Sequence, residues 1–180
     1  MTPIFLLIFK KNILDNMSEN KTRYVWGLLR LALGLIFIWA FLDKVFGLGF
    51  ATARSGAWFL GGSPTTGFLK FGVHGPFADF YHGLAGVPIV DYLFLLGLFF
   101  VGITLTFGVF VKLGSLTGII MLFLMYTAVG IPPENHPFID DHIVYILVMF
   151  GLTMSDSGDY LGIGKVWSRT NLVQKFKILK

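Results

Sequence analysis

Four apolar runs, separated by short polar breaks and one long connection rich in glycine and aromatic residues, set the pattern of the chain. The first, residues 24–41, is unbroken except for Arg30 and carries Trp26 and Trp39 at positions suited to the two membrane–water interfaces. The second opens at Asp91, runs to Val111 and is closed by Lys112. The turn 111–114 is short, so the third run, 113–129, must return antiparallel beside the second. The fourth lies within NHPFIDDHIVYILVMFGL, residues 135–152: Pro137 ends the loop 131–135, Asp140, Asp141 and His142 stand at the head of a helix, and the apolar run proper is 143–154. Acidic groups there complement the positive end of the helix dipole.

The connection, residues 45–88, is too apolar for a disordered linker, and GGSP at 61–64 and HGP at 74–76 mark turns within it. Segments 55–60 and 77–84 are predicted as short amphipathic helices lying on the interface over the mouth of the bundle. The expected fold is therefore all-α: an integral membrane four-helix bundle capped outside by short interfacial helices. Residues 1–22 are expected to form an N-terminal extension, 23–165 the four-span membrane domain and 166–180 a basic cytoplasmic tail. The apolar run 3–9 is too short to span and lacks the order of a signal peptide, so 1–16 reads as an extension upstream of a start at Met17 or as a loose interfacial segment.

Composition supports the membrane reading: of 180 residues, 55% are hydrophobic and only 13% charged, and the mean hydropathy is +0.76. With no cysteine, disulfides, thiol redox pairs, c-type haem attachment and thiolate-based iron–sulfur or zinc sites are excluded. No histidine lies deep in any run, so neither haem nor a metal centre is expected. The net charge of +4 would suggest nucleic acid in a soluble protein, but here the basic residues are topology signals and no nucleic-acid partner is expected. Ten of the fourteen Lys and Arg fall at the N-terminal, Lys112 and C-terminal side, against Lys44, Arg54 and Lys70 on the other. Both termini are then cytoplasmic in the plasma membrane, and an even number of spans follows. All four histidines and six of the ten acidic residues face outward.

Three groups of residues are candidates for chemistry. Arg30 sits roughly 9 Å inside its run at the usual helical rise. It either snorkels to the surface or pairs with Asp156 at the end of the fourth run, and the pair is preferred because a charge within a span faces the bundle. Asp43, Lys44, Asp91, Asp140, Asp141 and His142 come from the outer ends of different helices, as residues of a bundle site do, although each also marks where hydrocarbon stops. Within that set Asp141, His142 and Tyr145 share a helix face and form an acid, imidazole and phenol trio able to handle protons. Lys44, Arg54 and Lys70 are the outer cations that could attract an anion. Gly114 and Gly118 form a GxxxG pair, and Gly97, Gly102 and Gly108 punctuate the second run, which permits close helix contact.

The segments LLRLALGLIFIWAFLDKVFGLGF (28–50), SGAWFLGGSPTTGFL (55–69), VDYLFLLGLFFVGITLTFGVFVKLGSLTG (90–118) and PFIDDHIVYILVMFGLTMSDSGDYLGI (137–163) resemble the DoxX/DoxD membrane family. The resemblance runs from about Tyr24 to Trp167. It implies a four-helix membrane protein that passes electrons from a sulfur compound to membrane quinone, as the membrane subunit of thiosulfate:quinone oxidoreductase does, together with a second oxidoreductase subunit. On that reading Asp141, His142 and Tyr145 would be catalytic, Lys44, Asp43 and Asp91 would bind substrate, and quinone would be the cofactor. A non-catalytic membrane partner or a small-solute permeation protein is the alternative, and a homo-oligomer is left open.

Overall fold

The structure, a computed structural model, describes residues 3–180, with side chains from residue 21 onward. The sequence reading of residues 1–22 falls almost entirely on side chains outside the described residues. Every regular element among the described residues is helical. Helix α1 spans Pro3–Phe46, α2 Thr66–Phe71, α3 Ala78–His82, α4 Pro88–Phe107, α5 Val111–Val129, α6 Asp141–Met154, α7 Gly164–Trp167 and α8 Asn171–Lys175.

Three of these are long and apolar enough to cross a membrane: residues 21–46 of α1, together with α4 and α5. Helix α6 is equally apolar in character but has only 14 residues, about 21 Å of rise against a hydrocarbon core of about 30 Å. Length therefore separates the fourth apolar run from the other three. α1 packs on α4, α4 on α5, α5 on α6, and α6 touches α1 again. One apolar cluster draws on all four: Leu33 and Phe37, Leu98, Val101 and Leu105, Val111 and Leu122, Met149 and Leu152. Other apolar side chains along the same helices, among them Leu35, Leu96, Ile120, Phe123 and Leu147, face outward and exposed, an arrangement that suits lipid and would be costly in water.

Local chemistry sets the helix ends. Pro88 starts α4 at a position that needs no N–H donor, and Gly108, at φ +75°, ends it. Helix α1 continues through Asp43 and Lys44 to Phe46, beyond the break expected at Phe41, and stops at Gly47 with φ +63°. Trp39 is exposed and edge-on to Phe50, with 5.0 Å between the ring centres. Trp26, expected at the opposite interface, lies with its indole over Gly151 of α6, partly buried and packed against the core cluster.

The connection between α1 and α4 folds over the end of the helices where α1 stops and α4 starts, with elements different from those expected. Residues 54–60 form two single 3-10 turns rather than one helix, since Ala57 between them leaves the helical region at ψ 133°, and Gly61 at φ +86° ends the second. The expected helix over 77–84 is the shorter α3, and α2 was not foreseen, because Gly67 and its threonines carry poor helix propensity. A second apolar cluster, Leu69, Val73, Tyr81 and Ala128, seats this cap on α5. The Tyr81 hydroxyl donates to the Leu124 carbonyl at 3.0 Å, and the His74 N–H donates to that of Ala128 at 3.0 Å.

Candidate functional site

The head of α6 is the one place where the expected outer cluster survives as a group. Asp140 is the N-cap: its carboxylate accepts the Ile143 N–H at 3.2 Å, relieving one of the unpaired donors of the first turn. Its other oxygen lies 2.8 Å from Nδ1 of His142. Asp141, the expected partner of the imidazole, is 3.5 Å from the same nitrogen and points to solvent, its side chain 73% exposed against 17% for Asp140. Asp140 is thus the residue that orients the ring. The sequence signal for it was the capping rule, an aspartate immediately before an apolar helix.

With Nδ1–H donating to Asp140, Nε2 is the nitrogen left to exchange protons, and it has no partner among the described residues. Tyr145, one turn deeper on the same face, is part-buried against the core cluster. The side chains of Asp140, Asp141 and His142 each offer a ligand atom within 4.8 Å of one another, which could contribute to a cation site. Three consecutive residues at one helix end are a partial ligand set, and the helix dipole alone accounts for acidic groups there.

The remaining residues of the expected cluster lie elsewhere. Asp43 is 2% exposed and its carboxylate accepts the N–H groups of Phe50 and Ala51, at 3.2 and 3.1 Å, pinning the turn that follows α1. Asp91 accepts the Thr65 N–H at 3.2 Å and the hydroxyls of Thr65 and Ser63 at 2.6 and 2.9 Å, fastening the GGSP turn to the first turn of α4. Loop donors take both oxygens of Asp43 and Oδ1 of Asp91, so each carboxylate has a structural use. Lys44 is part-buried with no hydrogen-bond partner among the described residues. After the end of α1 a cleft of about 440 Å³ is lined by Phe46, Leu48, Arg54, Ala57, Phe59 and Leu60.

The expected Arg30–Asp156 ion pair is not formed. Arg30 is completely buried, and its guanidinium donates to five carbonyls: Leu105 and Thr106 in the last turn of α4, and Ser157, Tyr160 and Leu161 in the segment after α6. Those α4 carbonyls have no partner within their own helix, and a cation there answers the negative end of the dipole. Asp156 is held by Lys180, whose Nζ lies 2.8 Å from it and 3.3 Å from Asp159. Partial burial pulls the Lys180 amine down, but the two carboxylates outweigh it and hold its pKa above the usual lysine value.

No family model, no curated protein and no solved structure matches this chain.

Proposed function

We propose that the protein is the quinone-facing membrane subunit of an oxidoreductase, in line with the DoxX/DoxD resemblance, receiving electrons drawn from a sulfur compound such as thiosulfate through a second subunit. The observation that carries the reading is the His142–Asp140 pair, an imidazole oriented by a half-buried carboxylate at the head of an apolar helix. A membrane quinone, when bound, takes up two electrons and two protons. His142 would deliver or accept a proton at Nε2, Asp140 would hold the ring and stabilise the imidazolium, and Tyr145 would offer a hydroxyl from one turn deeper. Apart from that pair, the cleft lined by Phe46, Arg54 and Phe59 would accept a flat apolar ring, with Arg54 drawing an anionic donor, and Lys44 is a further cation in the last turn of α1.

The expected result is that His142→Ala and Asp140→Asn each lower electron transfer to a soluble quinone analogue about tenfold, the low end for removing an acid–base group. The assay is run with the partner subunit present and folded protein quantified. Unchanged rates in both variants place the proton chemistry elsewhere. Failure of the wild type to bind any quinone leaves the second reading, a non-catalytic membrane partner, which is favoured by the structural use of Asp43 and Asp91. Permeation is less well supported: Thr104 donates to the carbonyl of Phe100 in its own helix, and Tyr126 to that of Phe138, so neither lines a polar path.

The same proposal includes topology: α6 completes four spans and both termini are cytoplasmic. Asn135→Cys should react with an impermeant thiol reagent on intact cells and Asn171→Cys only after lysis. The reverse labelling inverts the topology, and labelling of both on intact cells means an odd number of spans.

A further inference from the structure

The segment after α6 does not trail away from the helices. Ile163 N–H donates to the Phe107 carbonyl at 2.9 Å, the Trp167 ring lies 4.6 Å from that of Phe110, and its Nε1–H donates to the Leu179 carbonyl at 2.7 Å. Val173 is buried, and Lys180 closes the segment on Asp156 and Asp159. The last twenty residues thus form a fixed collar where α4 ends, α5 begins and α6 ends.

What this collar presents outward is unusual for a surface in water. Leu161, Ile163, Val166, Leu172, Phe176 and Ile178 are all 48–72% exposed. Lys165, Arg169, Lys175 and Lys177 are exposed among them, and none forms an ion pair among the described residues. Two of these cations lie over aromatic rings, Lys165 5.2 Å from the centre of Tyr160 and Lys175 5.6 Å from that of Phe176, which leaves their charge uncompensated. The acidic residues that could neutralise the patch from packed elements, Asp156 and Asp159, are already engaged by Lys180.

Apolar side chains interleaved with cations, held rigidly at the ends of membrane-crossing helices, match the boundary between acyl chains and headgroups. The cations meet phosphates there while the apolar groups enter the first few ångströms of hydrocarbon. A nucleic acid would leave the six apolar groups unused. We propose that residues 161–180 form a membrane-surface collar that binds the anionic phospholipids of the bilayer the protein spans. This inference stands apart from the quinone reading, since its test measures no electron transfer.

The full chain is reconstituted in phosphatidylcholine bilayers containing a trace of spin-labelled phosphatidylglycerol or spin-labelled phosphatidylcholine, and the immobilised fraction of each is compared. The wild type should prefer the anionic probe by about threefold or more, and the preference should collapse in about 0.5 M salt. The K165Q/R169Q/K175Q/K177Q variant should bring it close to unity, K175Q/K177Q should lose about half of it, and Lys70→Gln at the opposite end should keep it. Inorganic phosphate at matched ionic strength should not compete, as the apolar half of the contact is missing. No preference in the wild type, a preference that survives the fourfold variant, or displacement by free phosphate would each overturn the proposal. Should the fourfold variant fail to fold, the double variant and the salt series decide: a preference unchanged in both overturns the proposal equally.

Discussion

Arg30→Leu is expected to lower the unfolding free energy by about 4 kcal/mol, because five carbonyls lose their donor in a water-poor site and each orphaned acceptor costs on the order of 1 kcal/mol or more. In a detergent thermal-unfolding assay that corresponds to a midpoint about 10 °C lower. Arg30→Lys should recover only part of the loss: an ammonium on a straight stem cannot reach both the end of α4 and the turn after α6 as the forked guanidinium does. Asp156→Ala should cost less than about 1 kcal/mol, since its partner Lys180 and its own side chain are substantially exposed. The double variant should then be additive to within about 0.5 kcal/mol. A rescue of Arg30→Leu by loss of Asp156 would restore the ion pair that the geometry rejects.

The second large effect concerns α1 against α4. These helices cross antiparallel through a reciprocal pair of small contacts. A Cβ added at Gly34 would lie 2.6 Å from the Thr106 backbone nitrogen, and one added at Gly102 would lie 2.8 Å from that of Ile38. Backbone cannot rotate aside, so Gly34→Ala and Gly102→Ala should each destabilise by about 2–3 kcal/mol despite alanine's better helix propensity. Gly97→Ala is the contrast, because its added methyl meets the flexible thioether of Met121 and should cost less than about 1 kcal/mol. Equal losses at all three positions, read by the same unfolding assay, would mean that backbone proximity is not what makes the first two sensitive.

These two sites show where sequence reading ran out. The apolar runs and charged ends marked α1, α4, α5 and α6, because long stretches of one polarity signal themselves. Arg30 was recognisable as a buried charge, but its partners were not, since any residue carries a carbonyl. Only the ending of α4 at Gly108 makes the carbonyls of Leu105 and Thr106 available. Asp43 looked like part of a shared site for the same reason, since the N–H groups of Phe50 and Ala51 are invisible in the residue names, and Asp91 did because its Ser63 and Thr65 donors lie 28 and 26 residues away in the chain. Glycine spacing was a partial guide. Gly114 meets Thr104 of α4 and Gly118 meets Met149 of α6, so the GxxxG pair serves two neighbours, while Gly34, outside the expected set, makes one of the closest backbone approaches.

The shortness of α6 bears on the imidazole at its head. If its apolar stretch of about 21 Å is to sit across a hydrocarbon layer of about 30 Å, the mismatch is relieved by local thinning of the lipid. On the proposed topology the outer leaflet would dip beside Asp140 and His142, and water would reach them at a depth where α1 and α4 are still surrounded by acyl chains. The 14 residues between Asp141 and Met154 would thus set, on that topology, how far water reaches toward the imidazole.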